Sequence, residues 1–272
     1  MPSFASIAPE KLARLLGTPK APIIIDVRES EALSADPRLI PTSVHLDYAT
    51  AQIWAPAYRG QAVAVSCQRG KKLAEGAAAW LRHFGAEAEV VDGGFEGWRD
   101  AGLPLVPVAA VPKPSAAGST VWVTRSRPKV DRIACPWLIR RFVDPKAVFL
   151  FVAPAEVEAV ADRFGATPFD VENVKWSHRG ELCTFDVMVE EFSLGLEPLK
   201  RLARIVRAAD TAQLDLEPEA AGLLAVSLGL SRMYADDLEQ LEAGMPIYDA
   251  LYRWCRDASE ETHDWPSAKP RT

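Results

Sequence analysis

The sequence is short of cysteine, of long apolar runs and of basic charge. Four cysteines are present, Cys67, Cys135, Cys183 and Cys255, all far apart and with no Cys-x-x-Cys pair. That spacing reads as separate thiols in a reducing compartment rather than a disulfide framework. No stretch approaches the roughly 20 apolar residues of a membrane span. The opening MPSFASIAPEKLARLL lacks the basic start, apolar run and small-residue cleavage site of a signal peptide. The expectation is a cytoplasmic protein with no membrane partner. Basic excess is missing as well. Residues 1–113 hold 12 Lys+Arg against 12 Asp+Glu, and the remaining 19 basic and 25 acidic residues carry the whole net charge of -6. Neither half has the surplus expected of a nucleic-acid binder. Internal repeats and low-complexity tracts are also lacking.

What is present is a 49% apolar, 25% charged composition over 272 residues. That is enough for a real core without disulfides, in one large domain or two ordinary ones. Pro104, Pro107, Pro112 and Pro114 crowd the segment GLPLVPVAAVPKPS and favour extended chain. The reading is a first domain over 1–106, a Pro-rich linker over 107–118 and a second domain over 119–272.

In the first part, Ala21–Val27, Gln61–Ser66 and a run starting at Glu89 read as strands. Leu73, Ala77, Trp80, Leu81 and Phe84 share one helical face between the last two, with Gly85 as the stop. Strand, helix, strand in this order implies an α/β parallel sheet flanked by helices. The second part opens with a strand at Thr120–Thr124. A helix follows through IACPWLIRRF, with Pro136 in its first turn, then a strand at Ala147–Val152. Beyond that, Leu199, Leu202, Ala203 and Val206 share a face, and Ala220–Leu230 and Asp236–Cys255 read as helical. This half is expected to be a mainly helical α+β domain.

The sharpest signal is VAVSCQRGKK. A strand ends at Cys67, a loop follows, and a helix begins. Such a loop can aim several backbone N–H groups at one point, with a helix N-terminus behind it. These donors, with Arg69, Lys71 and Lys72, favour a reactive thiolate at Cys67. The same cradle of Gln68, Arg69, Gly70, Lys71 and Lys72 suits an anionic sulfur donor. Asp26 and Arg28 end the neighbouring strand, either as an ion pair that holds the loops or as part of the substrate site. Trp54 and Tyr58 are expected to pack against the second domain.

Three segments resemble the rhodanese family: IIIDVRES, SCQRGKKLAEGAAAWLRHFG and VVDGGFEGWRDAGLP. The resemblance implies a sulfurtransferase in which Cys67 is the catalytic residue and carries sulfur as a persulfide between a thiosulfate or persulfide donor and a thiol acceptor. That chemistry requires no cofactor. One segment departs: the family's Gly-His-Ile-Pro-Gly-Ala stretch is LIPTSVHLDYA here, with His45 as a remnant. Phosphatases of a related fold need an arginine six residues after the cysteine, where this chain has Leu73.

In the second part, Arg125, Arg127, Lys129 and Arg132 precede the helix. They form either a tetrahedral-oxyanion site or a solvated face paired with carboxylates. His178, Glu181, Cys183 and Asp186 fall within nine residues, a type set compatible with a transition metal but without a metal-site spacing. Whether a metal is held is left open. The strings RPKVDRIACPWLIRRFVDP, ATPFDVENVKWSHRGELCTFD, RAADTAQLDL and EAAGLLAVSLGLSRMY resemble the chromate-resistance protein family over most of residues 120–256. In that family the domain is tied to chromate resistance, and in some members to gene regulation through a DNA-binding N-terminal region. A rhodanese-like domain stands in that place here, so DNA binding is not implied. Arg132, Cys135, His178, Glu181, Cys183 and Asp186 are the candidate residues of this half, and chromate is a possible ligand. Two functions stand side by side: a sulfurtransferase linked to chromate resistance, and a non-catalytic oxyanion or redox sensor that signals through the second domain.

Overall fold

The computed structural model describes residues 5–261. The first unit runs β1 (Ser6–Ile7), α1 (Pro9–Leu15), β2 (Ile23–Asp26), α2 (Ser30–Ala35), β3 (Arg38–Leu39), β4 (Val44–His45), α3 (Ala51–Trp54), β5 (Ala62–Ser66), α4 (Lys72–His83), β6 (Glu87–Val91), α5 (Gly94–Asp100) and β7 (Val106–Pro107). Five strands form a parallel sheet in the order β1-β6-β5-β2-β4. Both faces of such a sheet must be covered, and the alternation within its strands divides them. Ile24 and Ala64 face Leu12, Phe95 and Trp98 of α1 and α5. Ile25, Val63 and Val65 face Ala74, Ala77, Ala78 and Leu81 of α4.

Two sequence expectations shift here. The buried stripe of α4 is centred on its alanines, which let the helix lie close to the sheet. Trp80 therefore falls at the flank, 41% exposed, stacked 6.0 Å from Phe84. Trp54 and Tyr58 pack inside the first unit, beside α4, rather than on the second domain.

The segment after α5 does not run free. Val106–Pro107 pairs antiparallel with Arg38–Leu39, and a 3-10 turn follows at Val108–Ala110. The second unit then runs β8 (Val121–Arg125), α6 (Asp131–Phe142), β9 (Val148–Val152), α7 (Val157–Phe164), β10 (Thr167–Pro168), α8 (Thr184–Glu191), α9 (Glu197–Asp210), α10 (Ala220–Met233) and α11 (Asp237–Asp257). Its small sheet, β10-β8-β9, is parallel. Val123 faces α7, while Trp122 faces an aromatic cluster of Phe169, Trp176 and Phe192.

Helix α6 begins two residues earlier than expected, at Asp131, so Arg132 lies inside it and Pro136 sits in its interior. A proline there removes one N–H and leaves the carbonyl of Arg132 without its helical donor. The helix continues because burial holds it: Ile133, Ala134, Cys135, Trp137, Leu138, Ile139 and Phe142 are all enclosed. Among the described residues no helix is long and apolar enough to cross a membrane.

Candidate functional sites

Cys67 follows the last residue of β5, at the carboxyl end of the parallel sheet, where open α/β folds place their ligand crevices. The loop from Cys67 to Lys71 is held from below by α5. The amides of Phe95 and Glu96 donate to the carbonyls of Cys67 (2.9 Å) and Gln68 (3.0 Å). These are first-turn N–H groups that have no partner within their own helix. Within the loop, Lys71 N–H points at Cys67 Sγ across 3.4 Å. Gly70 (φ +60°), Gly93 (φ +69°) and Gly94 (φ +59°) make this contact possible. A Cβ on Gly94 would overlap Cys67 O and Gly70 N, and one on Gly70 would overlap Val91 O. The thiol is 4% exposed, at the N-terminus of the twelve-residue α4, whose dipole favours negative charge.

The side chains around it divide. Lys71 and Lys72 are exposed. Arg69 is drawn aside by Glu96 (3.2 Å), and Gln68 donates to the same carboxylate at 3.0 Å. Together they hold the Glu96 carboxyl below its usual range, Gln68 contributing most. Asp26 and Arg28 are not open to a substrate. Arg28 is buried, with Nε on Asp26 Oδ2 at 2.8 Å, Nη1 on Asp36 O, Nη2 on Arg38 O, and its guanidinium 3.8 Å above the Phe95 ring. With its donors engaged, this pair ties the loops together. His45 Nε2 lies 2.8 Å from the carbonyl of Arg28 and so supports the same corner.

A second constellation lies at the carboxyl end of β8, where α6 and α8 begin. Asp131, fully buried, accepts from Thr184 N (2.7 Å) and Phe185 N (3.1 Å), the first amides of α8. Asp170 Oδ1 accepts from Thr184 Oγ1 at 2.9 Å, and its Oδ2 lies 3.3 Å from both Arg125 and Arg132. His178 Nε2 sits 3.4 Å from Asp170, 3.4 Å from Asp210 and 3.6 Å from Asp131. The backbone is strained here: Val130 has φ 32° and Asp170 φ 50°, costly for residues with a Cβ and frequent at functional sites. Burial pushes the Asp131 carboxyl up, against His178 beside it. Burial also opposes ionisation of Asp170, but His178, Thr184 and the two arginines outweigh it and hold that carboxyl below its usual range. Contact with Asp131, Asp170 and Asp210 raises His178 far above an ordinary imidazole. A cavity of about 290 Å³ opens onto the group, lined by Arg125, Lys129, Arg132, Asp170, His178 and Asp210 among others.

The candidates from the second half are thus split. Arg132 and His178 belong to this group. Cys135 and Cys183 lie behind it, and burial pushes both thiols well up. Asp186 accepts from Cys183 N at 3.1 Å, faces Arg207, and lines a different cavity. Glu181 is exposed in the Arg179–Leu182 turn. His178, Glu181, Cys183 and Asp186 therefore do not converge. Sequence reasoning missed Asp131, Asp170 and Asp210. The available signal was an acid beside apolar neighbours in Val130-Asp131, Phe169-Asp170-Val171 and Ala209-Asp210, a context that suggests a buried carboxylate with a task.

Residues 8–101 match the family model of the rhodanese-like domain, and residues 122–255 match that of the ChrB C-terminal domain. Protein ChrB of Cupriavidus metallidurans is 34% identical over 132 residues, 48% of this chain and 39% of that protein, so the match spans well under half of that relative's length. Among solved structures, a rhodanese-related protein from Thermoplasma volcanium is 27% identical, covering 38% of this chain and 98% of that one with a TM-score of 0.33. Thiosulfate sulfurtransferase from Pseudomonas aeruginosa is 23% identical, covering 39% and 20%, with a TM-score of 0.32.

Proposed function

We propose that this chain, which joins a rhodanese-like domain to a ChrB C-terminal domain, is a sulfurtransferase that carries sulfur as a persulfide on Cys67 and serves chromate resistance. The observation that carries the reading is the loop: its carbonyls are tied to α5 while an amide N–H is aimed at Cys67 Sγ. Cys67 thiolate attacks the outer sulfur of thiosulfate, the S–S bond of the donor breaks, and sulfite leaves with the electron pair. The acceptor then attacks the terminal sulfur of the persulfide and regenerates the thiolate. The Lys71 N–H, with the α4 N-terminus behind it, stabilises the sulfur anion at each stage, as preorganised donors do for developing negative charge. Lys71 and Lys72 draw the anionic donor toward the loop.

The test is thiosulfate:cyanide sulfurtransfer by the full chain and by Cys67→Ala. Thiocyanate formation that vanishes in the variant is the expected result. Equal rates in both proteins would rule out Cys67 as the sulfur carrier. A second reading has its own support. The apolar core runs without interruption from Leu12 and Phe95 to Phe142 and Tyr252, so the state of the Cys67 loop can bias the second domain. In that reading the chain is an oxyanion or redox sensor. It binds the anion at the same loop and releases no thiocyanate.

A further inference from the structure

We propose that Asp131, Asp170 and His178 form a binding site for a divalent first-row transition-metal ion, a site separate from the cysteine loop. One oxygen of each aspartate and one ring nitrogen of the histidine lie within 4.8 Å of one another. The spacing is poor for hydrogen bonds and good for shared coordination. His178 Nε2 stands 3.4 Å from Asp170 Oδ1 and 3.6 Å from Asp131 Oδ2, beyond the usual N–H···O range of about 2.7–3.2 Å. One N–H cannot be directed at both oxygens. Ligand atoms about 2.0–2.2 Å from a common ion are separated by roughly 3–3.6 Å, and both separations from His178 Nε2 fall in that range.

The charge balance points the same way. Asp131 is fully buried, and among the described residues His178 is its one cationic contact within salt-bridge distance. Buried carboxylates are paired with a cation or coordinate a metal. The supporting contacts are those of a coordination sphere fixed from outside: Thr184 N and Phe185 N hold Asp131, and Thr184 Oγ1 holds Asp170. Asp210 adds outer negative charge 3.4 Å from His178 but lies outside the convergent trio. The adjoining cavity gives an ion a way in, and there Arg125 Nε is buried without an acceptor. A ligand completing the coordination from that side is water or an anion.

The donor set selects the ion class. Two carboxylates and one imidazole suit Mn²⁺, Fe²⁺ or Zn²⁺, whereas Ca²⁺ takes six to eight oxygens and Cu(I) prefers sulfur. Cys135 and Cys183 do not change this, because neither belongs to the convergent group, and Cys135 Sγ is turned to Asp131 Oδ1 at 3.7 Å.

The experiment uses the full chain, stripped with chelator and titrated separately with Mn²⁺, Fe²⁺ (anaerobically) and Zn²⁺ by calorimetry, with thermal melting in parallel. His178→Gln is the main variant, since that side chain is 41% exposed and glutamine keeps an N–H donor beside Asp131 and Asp170. Asp170→Asn is the second, and circular dichroism confirms that each is folded. The expected result is one ion per chain, a melting temperature that rises with at least one metal, and affinity lowered at least 10-fold in both folded variants. Absence of saturable binding of all three ions to the wild-type chain overturns the proposal. So does binding that is equally tight in His178→Gln, which would place the ion elsewhere.

Discussion

Gly94 sets the steric limit of the cysteine loop. Its φ of +59° is unfavourable for a side chain, and an added Cβ would overlap Cys67 O and Gly70 N. Gly94→Ala must therefore push the loop off α5. A displacement near 1 Å at a reacting group costs about 100-fold in rate, and a loss of that order in thiosulfate:cyanide turnover is expected. Gly102 separates the causes: its φ is +68°, but nothing lies within 4 Å of an added Cβ. Gly102→Ala is expected to lose some stability through backbone strain and to keep its turnover. Arg28 lies over the ring of Phe95, whose amide holds the same loop. Arg28→Ala removes one partner of the buried Asp26–Arg28 pair, a change that costs about 3–5 kcal/mol. Urea unfolding of the variant checks this, and a change below 1 kcal/mol would show that the pair is not needed to hold the loops.

Among the elements, α11 shows how a helix start can be read from sequence. Asp236 precedes the apolar-periodic run, and its Oδ1 accepts from Leu238 N and Glu239 N at 2.9 Å each. Asp236→Ala is expected to lower stability by about 1 kcal/mol, measured by chemical denaturation. Helix α9 was equally legible, because Leu199, Leu202, Ala203 and Val206 repeat at helical spacing and all are buried. Helix α6 was not, since Pro136 imitates a first-turn residue, and only the surrounding core explains why the helix runs through it. The metal-type group was hidden for a related reason. His178 stands out in the sequence, but its partners are 47, 8 and 32 positions away at Asp131, Asp170 and Asp210. Only the joining of the starts of α6 and α8 and the end of α9 beside one strand end brings them together. The cysteine loop needed no such assembly, because strand, loop and helix are consecutive in the chain.

For the molecule as a whole, the question is whether two domains behave as one. Gly17 follows α1 in the first unit, yet its Cα lies where an added Cβ would stand 2.5 Å from Phe142 and from Tyr252 of the second. Thr42 N donates to Phe142 O (3.2 Å), and Arg256 Nη1 donates to Arg14 O (2.9 Å) across the same boundary. One apolar cluster includes Leu12, Leu16 and Trp98 together with Trp137, Phe142 and Tyr252. Such a core should melt cooperatively, although chains of this length can unfold in stages. Gly17→Val tests it, because Val adds bulk at a positive φ and presses on both aromatic rings. Overpacking of this kind costs about 1–3 kcal/mol, and for a chain this size each kcal/mol lowers Tm by roughly 2–4 °C. The expected calorimetric result is one transition in the wild type, moved down as a unit in Gly17→Val. Two transitions, with only one displaced, would mean that the domains unfold independently. The route from the Cys67 loop to the second domain would then lose its physical basis, and the sensor reading would lose its support with it.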